Sequence, residues 1–315
     1  MNLRKKHSLP EMLFGNSIIP ACVPFYYRLY ILGRKACRSA QNRVRSILRG
    51  SAPVTDSVVI GQNAVIKLNG RKKPLVNKTC MGIDADLGLD GVKKIVRDID
   101  KLKKLLDDKG LKYTSTAGSF KGKDFVSSKE KNKLWENAWV LASARVKPED
   151  VILDMGGAST IFSFFLAKTG CEVHVVDNDW GNHGIIYNAR FVANKMKWNM
   201  KMHTKNLAKK LPFSDSYFDK IFSICVLEHL PPRGRRNMMR EVGRLLKPGG
   251  IAGFTLDYDA GRKDPFTDKG IRYFTKDRLL NDVIAPSGLD IYGNGELVDD
   301  CPADFFLGSL FLTKP

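Results

Sequence analysis

Two apolar runs in this chain end on carboxylates placed where chemistry can use them. Val151-Ile152-Leu153-Asp154-Met155 passes directly into Gly156-Gly157-Ala158-Ser159-Thr160, and Val173-His174-Val175-Val176 ends on Asp177. Glycines at a strand-to-helix turn let the backbone approach a ligand closely, and the helix start that follows offers unpaired N–H groups. Asp177 lies about 20 residues beyond the glycines, and an acid at such a strand tip suits two hydrogen bonds to the ribose hydroxyls of an adenine cofactor. The dinucleotide fingerprint G-x-G-x-x-G fails, because Ala158 and Ile161 stand where its second and third glycines belong. That weakens a pyrophosphate grip and favours a cofactor without phosphates.

A second set of groups could handle protons. Glu228-His229 follows the apolar stretch from Ile221 to Leu227. An imidazole has a pKa suited to a general base, so His229 is the candidate for taking a proton from an acceptor, with Glu228 beside it to orient the ring. Asp257, Tyr258 and Asp259 form another polar cluster after the next apolar run. His174, His183 and His203 show no metal-ligand spacing, and no metal is assigned. The six cysteines include no C-x-x-C pair, which reads as reduced thiols in a cytoplasmic protein; Cys171 and Cys225 read as small buried hydrophobes.

These groups need a scaffold, and the sequence from Val151 onward supplies one. Strand-length apolar runs at 151–155, 172–176, 219–225 and 250–256 alternate with helix-length segments near 160–169, 182–196, 234–246 and 275–284, and two last strands are expected at 289–292 and 305–313. Continuous apolar runs alternating with helices are the pattern of a parallel sheet covered on both faces. Upstream, Gly91 to Lys109 places Val92, Ile95, Val96, Ile99, Leu102, Leu105 and Leu106 on one face of a helix, with Asp90 as cap and Gly110 as stop. A hairpin is expected over 57–67, a polar loop over 112–127, and a helix from a capping box of Ser127 with Glu130.

A third block completes a pattern. Leu211-Pro212-Phe213-Ser214-Asp215-Ser216-Tyr217-Phe218-Asp219 precedes Leu227-Glu228-His229, and a helix then closes on Leu246-Lys247-Pro248-Gly249-Gly250. With the glycine turn and Asp177, these motifs resemble the class I S-adenosylmethionine-dependent methyltransferases, in their type 11-like group, over about residues 134–315. The resemblance implies an α/β fold: a Rossmann-like seven-stranded sheet of order 3-2-1-4-5-7-6 with its last strand antiparallel. It implies S-adenosyl-L-methionine as cofactor, with Asp154, Gly156, Gly157 and Ala158 lining the methionine end, Asp177 on the ribose and Asn178 beside the adenosine. Asn206 stands near the position that is commonly acidic and faces adenine, and Cys225 would approach the cofactor through its backbone.

Charge bears on partners. The chain of 315 residues carries a net charge of +19, and the first 50 residues hold ten Lys/Arg against the single acid Glu11. Such a surplus suggests an anionic partner. The expected organisation is a basic docking segment at 1–50, a small α/β extension at 51–130 and the cofactor-binding domain at 131–315. Two readings stand for residues 1–50: a helix packed on the protein or a partner subunit, which is favoured, and an interfacial helix on an anionic membrane surface. Neither a signal peptide nor a spanning helix is read there, because Pro20 and Pro24 break the apolar stretch. The sequence lacks the Asn/Asp-Pro-Pro-aromatic motif of many base-methylating enzymes and any RNA-binding signature. A small-molecule, glycan or lipid-linked acceptor is therefore favoured over nucleic acid. An RNA methyltransferase, and a binding module of the same fold without transfer, are the alternatives.

Overall fold

The computed structural model describes residues 77–79, 83–116, 128–178, 184–259, 272–293, 295, 297 and 306–315, with short strand pieces at 67–68, 71–72 and 119–120. Its centre is a seven-stranded sheet: β1 (Val151–Met155), β2 (Glu172–Asp177), β3 (Met200–Thr204), β4 (Phe218–Ile224), β5 (Leu246–Tyr258), β6 (Asp290–Ile291) and β7 (Phe306–Thr313). The order is β3-β2-β1-β4-β5-β7-β6. Strands β1 to β5 run parallel, and β7 lies antiparallel between β5 and β6. This is the α/β sheet the motifs implied.

Side chains alternate between two cores, as a pleated strand requires. Ile152, Val173, Val175 and Phe222 enter one core, whereas Leu153, Met155, Val176 and Ile221 enter the other. The first core is covered by α1 (Ile83–Leu87), α2 (Asp90–Asp108), α3 (Ser128–Ser143), α4 (Ile161–Lys168) and α5 (Ile185–Met196). The second is covered by α6 (Pro232–Leu245) and by a composite helix of Lys276–Leu279, a π-helical turn Leu280–Ile284 and Ala285–Ser287. Helices upstream of residue 131 thus share a core with the sheet. Among the described residues, no helix is long and apolar enough to cross a membrane.

Several local expectations change. Asp90 is the first residue of α2 and not its cap; Leu89 holds the cap position and makes no side-chain cap bond. Gly110, at φ +64°, does end the helix. The segment expected as a polar loop pairs Thr114–Thr116 with Ser119–Phe120, and Thr114 bridges Thr160 at the glycine turn. Strand β5 starts at Leu246, so Lys247-Pro248-Gly249-Gly250 lies inside the strand, with a register shift between Phe218 and Lys220 opposite it. Strand β3 came only from the resemblance: it sits at the sheet edge, half-exposed, and carries no apolar run. The expected segment at 1–50, the cap at Ser127 and nearly all of the expected hairpin at 57–67 lie outside the described residues.

Candidate active site

The glycines of the turn admit no side chains. Gly156 takes φ +89°, and a Cβ there would fall 2.6 Å from Val226 Cγ2. A Cβ at Gly157 would overlap the Asp154 carboxylate directly beneath it. The turn is fixed from three sides. The Gly156 N–H donates to Val176 O (2.8 Å), the Thr114 N–H donates to Ser159 O (2.7 Å), and Ser159 Oγ donates to Ile185 O (2.6 Å). Thr160 caps α4 by accepting the Ser163 N–H at 3.2 Å. Ser159, at φ +61°, holds a left-handed backbone without being glycine, a conformation that persists only where surroundings impose it.

Asp154 is fully buried. Its Oδ2 accepts from Ser163 Oγ, and its Oδ1 has no partner among the described residues. Burial pushes its pKa up to about 7, with the Ser163 hydroxyl opposing and the nearby Asp177 charge adding to the rise. Asp177 is buried at the tip of β2, in electrostatic reach of Asp154. An orphaned acid oxygen under a turn that excludes side chains fits a cationic amino group, and an acid at the next strand tip fits a diol. The two acids expected at the cofactor are thus brought together.

The remaining expected cofactor residues are placed less uniformly. Ala158 is buried in the first core, its carbonyl 3.4 Å from Thr114 Oγ1. Asn178 is exposed just beyond Asp177. Asn206 is exposed too, and its Oδ1 takes the Ala208 N–H at 2.8 Å, so the atom expected to meet adenine is engaged within its own loop. Cys225 stands at φ +59°, a second strained non-glycine residue, and its N–H donates to Thr255 O (3.3 Å). Only its carbonyl and side chain remain for a ligand.

A one-turn 3₁₀ segment, Leu227–His229, follows β4. His229 keeps part of its ring in solvent, while the atoms packed behind it push its pKa below the ordinary imidazole value, with Asp257 opposing. Glu228 points inward, fully buried. Beside it lie Cys225 and Asp257; one atom from each of the three falls within 4.8 Å of the others. Burial raises the pKa of Glu228, of Asp257 and of the Cys225 thiol. Helix α3 adds an ion pair, Lys133 Nζ to Glu136 Oε2 at 2.6 Å, and Thr255 Oγ1 donates to Glu136 Oε1 at 2.7 Å. Cys225 is therefore more than a small hydrophobe.

Sequence spacing also missed a pair away from the crevice. His174 and His203 stack with ring centroids 5.2 Å apart and nitrogens at 3.2 Å, and Glu172 accepts from or pairs with His174 at 2.8 Å. Burial holds both imidazoles below their ordinary pKa. Adjacent parallel strands made this contact, which linear spacing cannot register.

A family model described as a methyltransferase domain matches residues 152–250, from the second residue of β1 to the start of β5. That span holds the glycine turn, Asp177 and the Glu228-His229 turn. The motifs read from the sequence and the matched family model point to the same domain. Solved structures similar to this chain include geranyl diphosphate C-methyltransferase from Streptomyces coelicolor A3(2), crystallised with Mg2+, geranyl diphosphate and S-adenosyl-L-homocysteine. It is 12% identical, covers 62% of this chain and 88% of its own, and has a TM-score of 0.47. A SAM-dependent methyltransferase from Methanosarcina mazei is 21% identical over 53% of this chain and 93% of its own, TM-score 0.41. One from Aquifex aeolicus is 16% identical over 56% and 90%, TM-score 0.43. A curated relative, an uncharacterized protein of Haemophilus influenzae, is 29% identical over 114 residues. The alignment takes in 36% of this chain and 45% of that protein, so the chain spans less than half of that relative's length.

Proposed function

We propose that the protein transfers a methyl group from S-adenosylmethionine to a small acceptor, free or carried on a glycan or lipid. The observation that carries the cofactor half is Asp154 Oδ1, buried and unpartnered beneath a turn that admits no side chain. Asp154 would hold the amino group of the methionine portion, Gly156 and Gly157 would admit its backbone, and Asp177 would hold the ribose hydroxyls. When bound, the cofactor supplies an electrophilic methyl group on a sulfonium. The protein's work is then to align the acceptor and manage its proton. His229 suits that work: an imidazole held below its ordinary pKa is neutral near pH 7 and free to accept a proton.

The burial of the acceptor-side acids supports a small acceptor. Glu228 and Asp257 are 0% and 6% exposed. Nucleic acid is gripped through exposed Lys and Arg facing phosphates, a different surface from buried carboxylates. Calorimetric titration tests the reading. S-adenosylmethionine is expected to bind the wild type, and Asp177→Ala to weaken it by about 1.5–3 kcal/mol, the scale of a lost hydrogen bond to a charged group. No binding by the wild type overturns the function. Unchanged affinity in a folded variant removes the ribose assignment.

A further inference from the structure

A serine stands in the glycine turn where glycine would be the unstrained choice. Ser159 is fully buried and holds φ +61°, a left-handed backbone that a side chain resists. What the serine adds is a hydroxyl with two partners. Ser159 Oγ donates to Ile185 O at 2.6 Å and accepts from Asn188 Nδ2 at 3.0 Å, both at the start of α5. The same Asn188 amide nitrogen also donates to Lys112 O at 2.8 Å. Two residues further on, the Thr114 N–H donates to Ser159 O at 2.7 Å, and Thr114 Oγ1 lies 3.4 Å from Ala158 O. Ser159, Asn188 and the segment from Lys112 to Thr114 thus close a ring of hydrogen bonds beside the turn.

We infer that Asn188 and Thr114 are positioning residues for the cofactor: they lock Ser159, and through it the backbone of Gly156 and Gly157, in the shape that receives the methionine end. The inference rests on the S-adenosylmethionine reading and adds to it two residues that stand in none of the motifs. Thr114 lies upstream of the matched span 152–250. It is delivered by α2, whose Leu102 and Leu106 are buried in the first core together with Leu111 just beyond the helix. Asn188 is half-buried on the opposite side of the ring, one turn into α5. Two separate elements therefore meet on one serine.

The need for a lock follows from the turn itself. Gly156 and Gly157 have the backbone freedom of all glycines, and the residue that follows Ala158 is strained. Without its hydrogen bonds such a turn relaxes into other shapes. Ligand affinity then falls with the fraction of molecules that hold the binding shape. A loss of this kind appears in the association rate, since the bound complex keeps its contacts. Removing a group that touches the cofactor would speed dissociation instead. A bond that served only to hold the fold together would change unfolding and leave cofactor affinity where it was.

The test is binding of S-adenosylmethionine to the full chain, with affinity from calorimetry and rates from stopped flow. Asn188→Ala and Ser159→Ala are each expected to weaken binding about five- to ten-fold, the scale of one hydrogen bond, through slower association. Both cut the same link, so the double variant is expected to bind scarcely more weakly than Ser159→Ala alone. Thr114→Pro, which deletes the N–H donor to Ser159 O, is expected to weaken binding at least as much as Asn188→Ala. If Ser159→Ala or Thr114→Pro does not fold by circular dichroism, the half-buried Asn188→Ala carries the comparison. Unchanged affinity in folded Asn188→Ala or folded Thr114→Pro, a loss carried by faster dissociation, or losses that add in full in the double variant each overturn the inference. A wild type that binds no S-adenosylmethionine overturns the proposed function instead.

Discussion

Asp154 holds its proton to unusually high pH for an acid because it lies at 0% exposure with one oxygen unpartnered. Its pKa in the folded chain is about 7, above the unfolded value of 3.8. The folded state therefore binds the proton more readily, and the stability this confers is present below pH 3.8 and lost as the pH rises through 7. Urea unfolding of the cofactor-free protein is expected to show lower stability at pH 8 than at pH 5. Asp154→Asn is expected to flatten that slope, and an unchanged slope would place the titration elsewhere. His229 is tested by rate. His229→Ala is expected to lower turnover about 10²-fold or more with little change in cofactor affinity. Wild-type turnover is expected to fall only below the ordinary imidazole value of 6.5, because burial lowers this pKa. Near wild-type turnover in a folded variant removes His229 from catalysis. At this scale the sequence disclosed residues that sit in motifs, Asp154, Asp177 and His229. It could not disclose Ser163 against Asp154, or Thr114 against the turn, since those contacts join residues through folding alone.

Helix α3 shows how an element can be read correctly in outline and missed in role. Its apolar residues announced a helix, but nothing in their spacing showed that it crosses to the sheet's far strands. Trp139 Nε1 donates to Ser309 Oγ at 3.0 Å, and Trp135 Nε1 donates to Asp86 Oδ2 at 2.8 Å. The two indoles stack with centroids 5.9 Å apart. That anchoring delivers Lys133 and Glu136 to the end of β5, where Thr255 meets Glu136, so a helix upstream of the matched family span furnishes part of the charge there. Trp135→Ala removes a fully buried indole and leaves a cavity, at an expected cost of about 3–5 kcal/mol by urea unfolding. A loss under 1 kcal/mol would mean that α3 is not held as described. The strands were legible wherever both faces are buried. Strand β3 was not, because an edge strand with Lys201 and His203 carries too little apolar signal.

Across the whole molecule, charge and chemistry are separated in sequence. The first 50 residues hold about half of the net charge, whereas the groups that would bind cofactor and acceptor all lie between 154 and 257. Deleting residues 1–50 is therefore expected to leave cofactor affinity intact and to reduce co-sedimentation with phosphatidylglycerol vesicles at low salt. If the full-length chain does not sediment with vesicles, the docking reading falls and the packing reading of that segment stands.

Strand β7 has a further consequence, for the order in which the fold is made. It is the last strand in sequence yet not at the sheet's edge: residues 306–313 lie between β5 and β6, and Ser309 within it receives the Trp139 indole and pairs with Lys78. During synthesis, the five parallel strands can assemble while β5 still presents a bare, apolar flank, and α3 lacks its Trp139 anchor. Closure of that flank waits for residues 306–313. A nascent copy is therefore sticky until residues 306–313 emerge, and a copy cut short before residue 306 stays so.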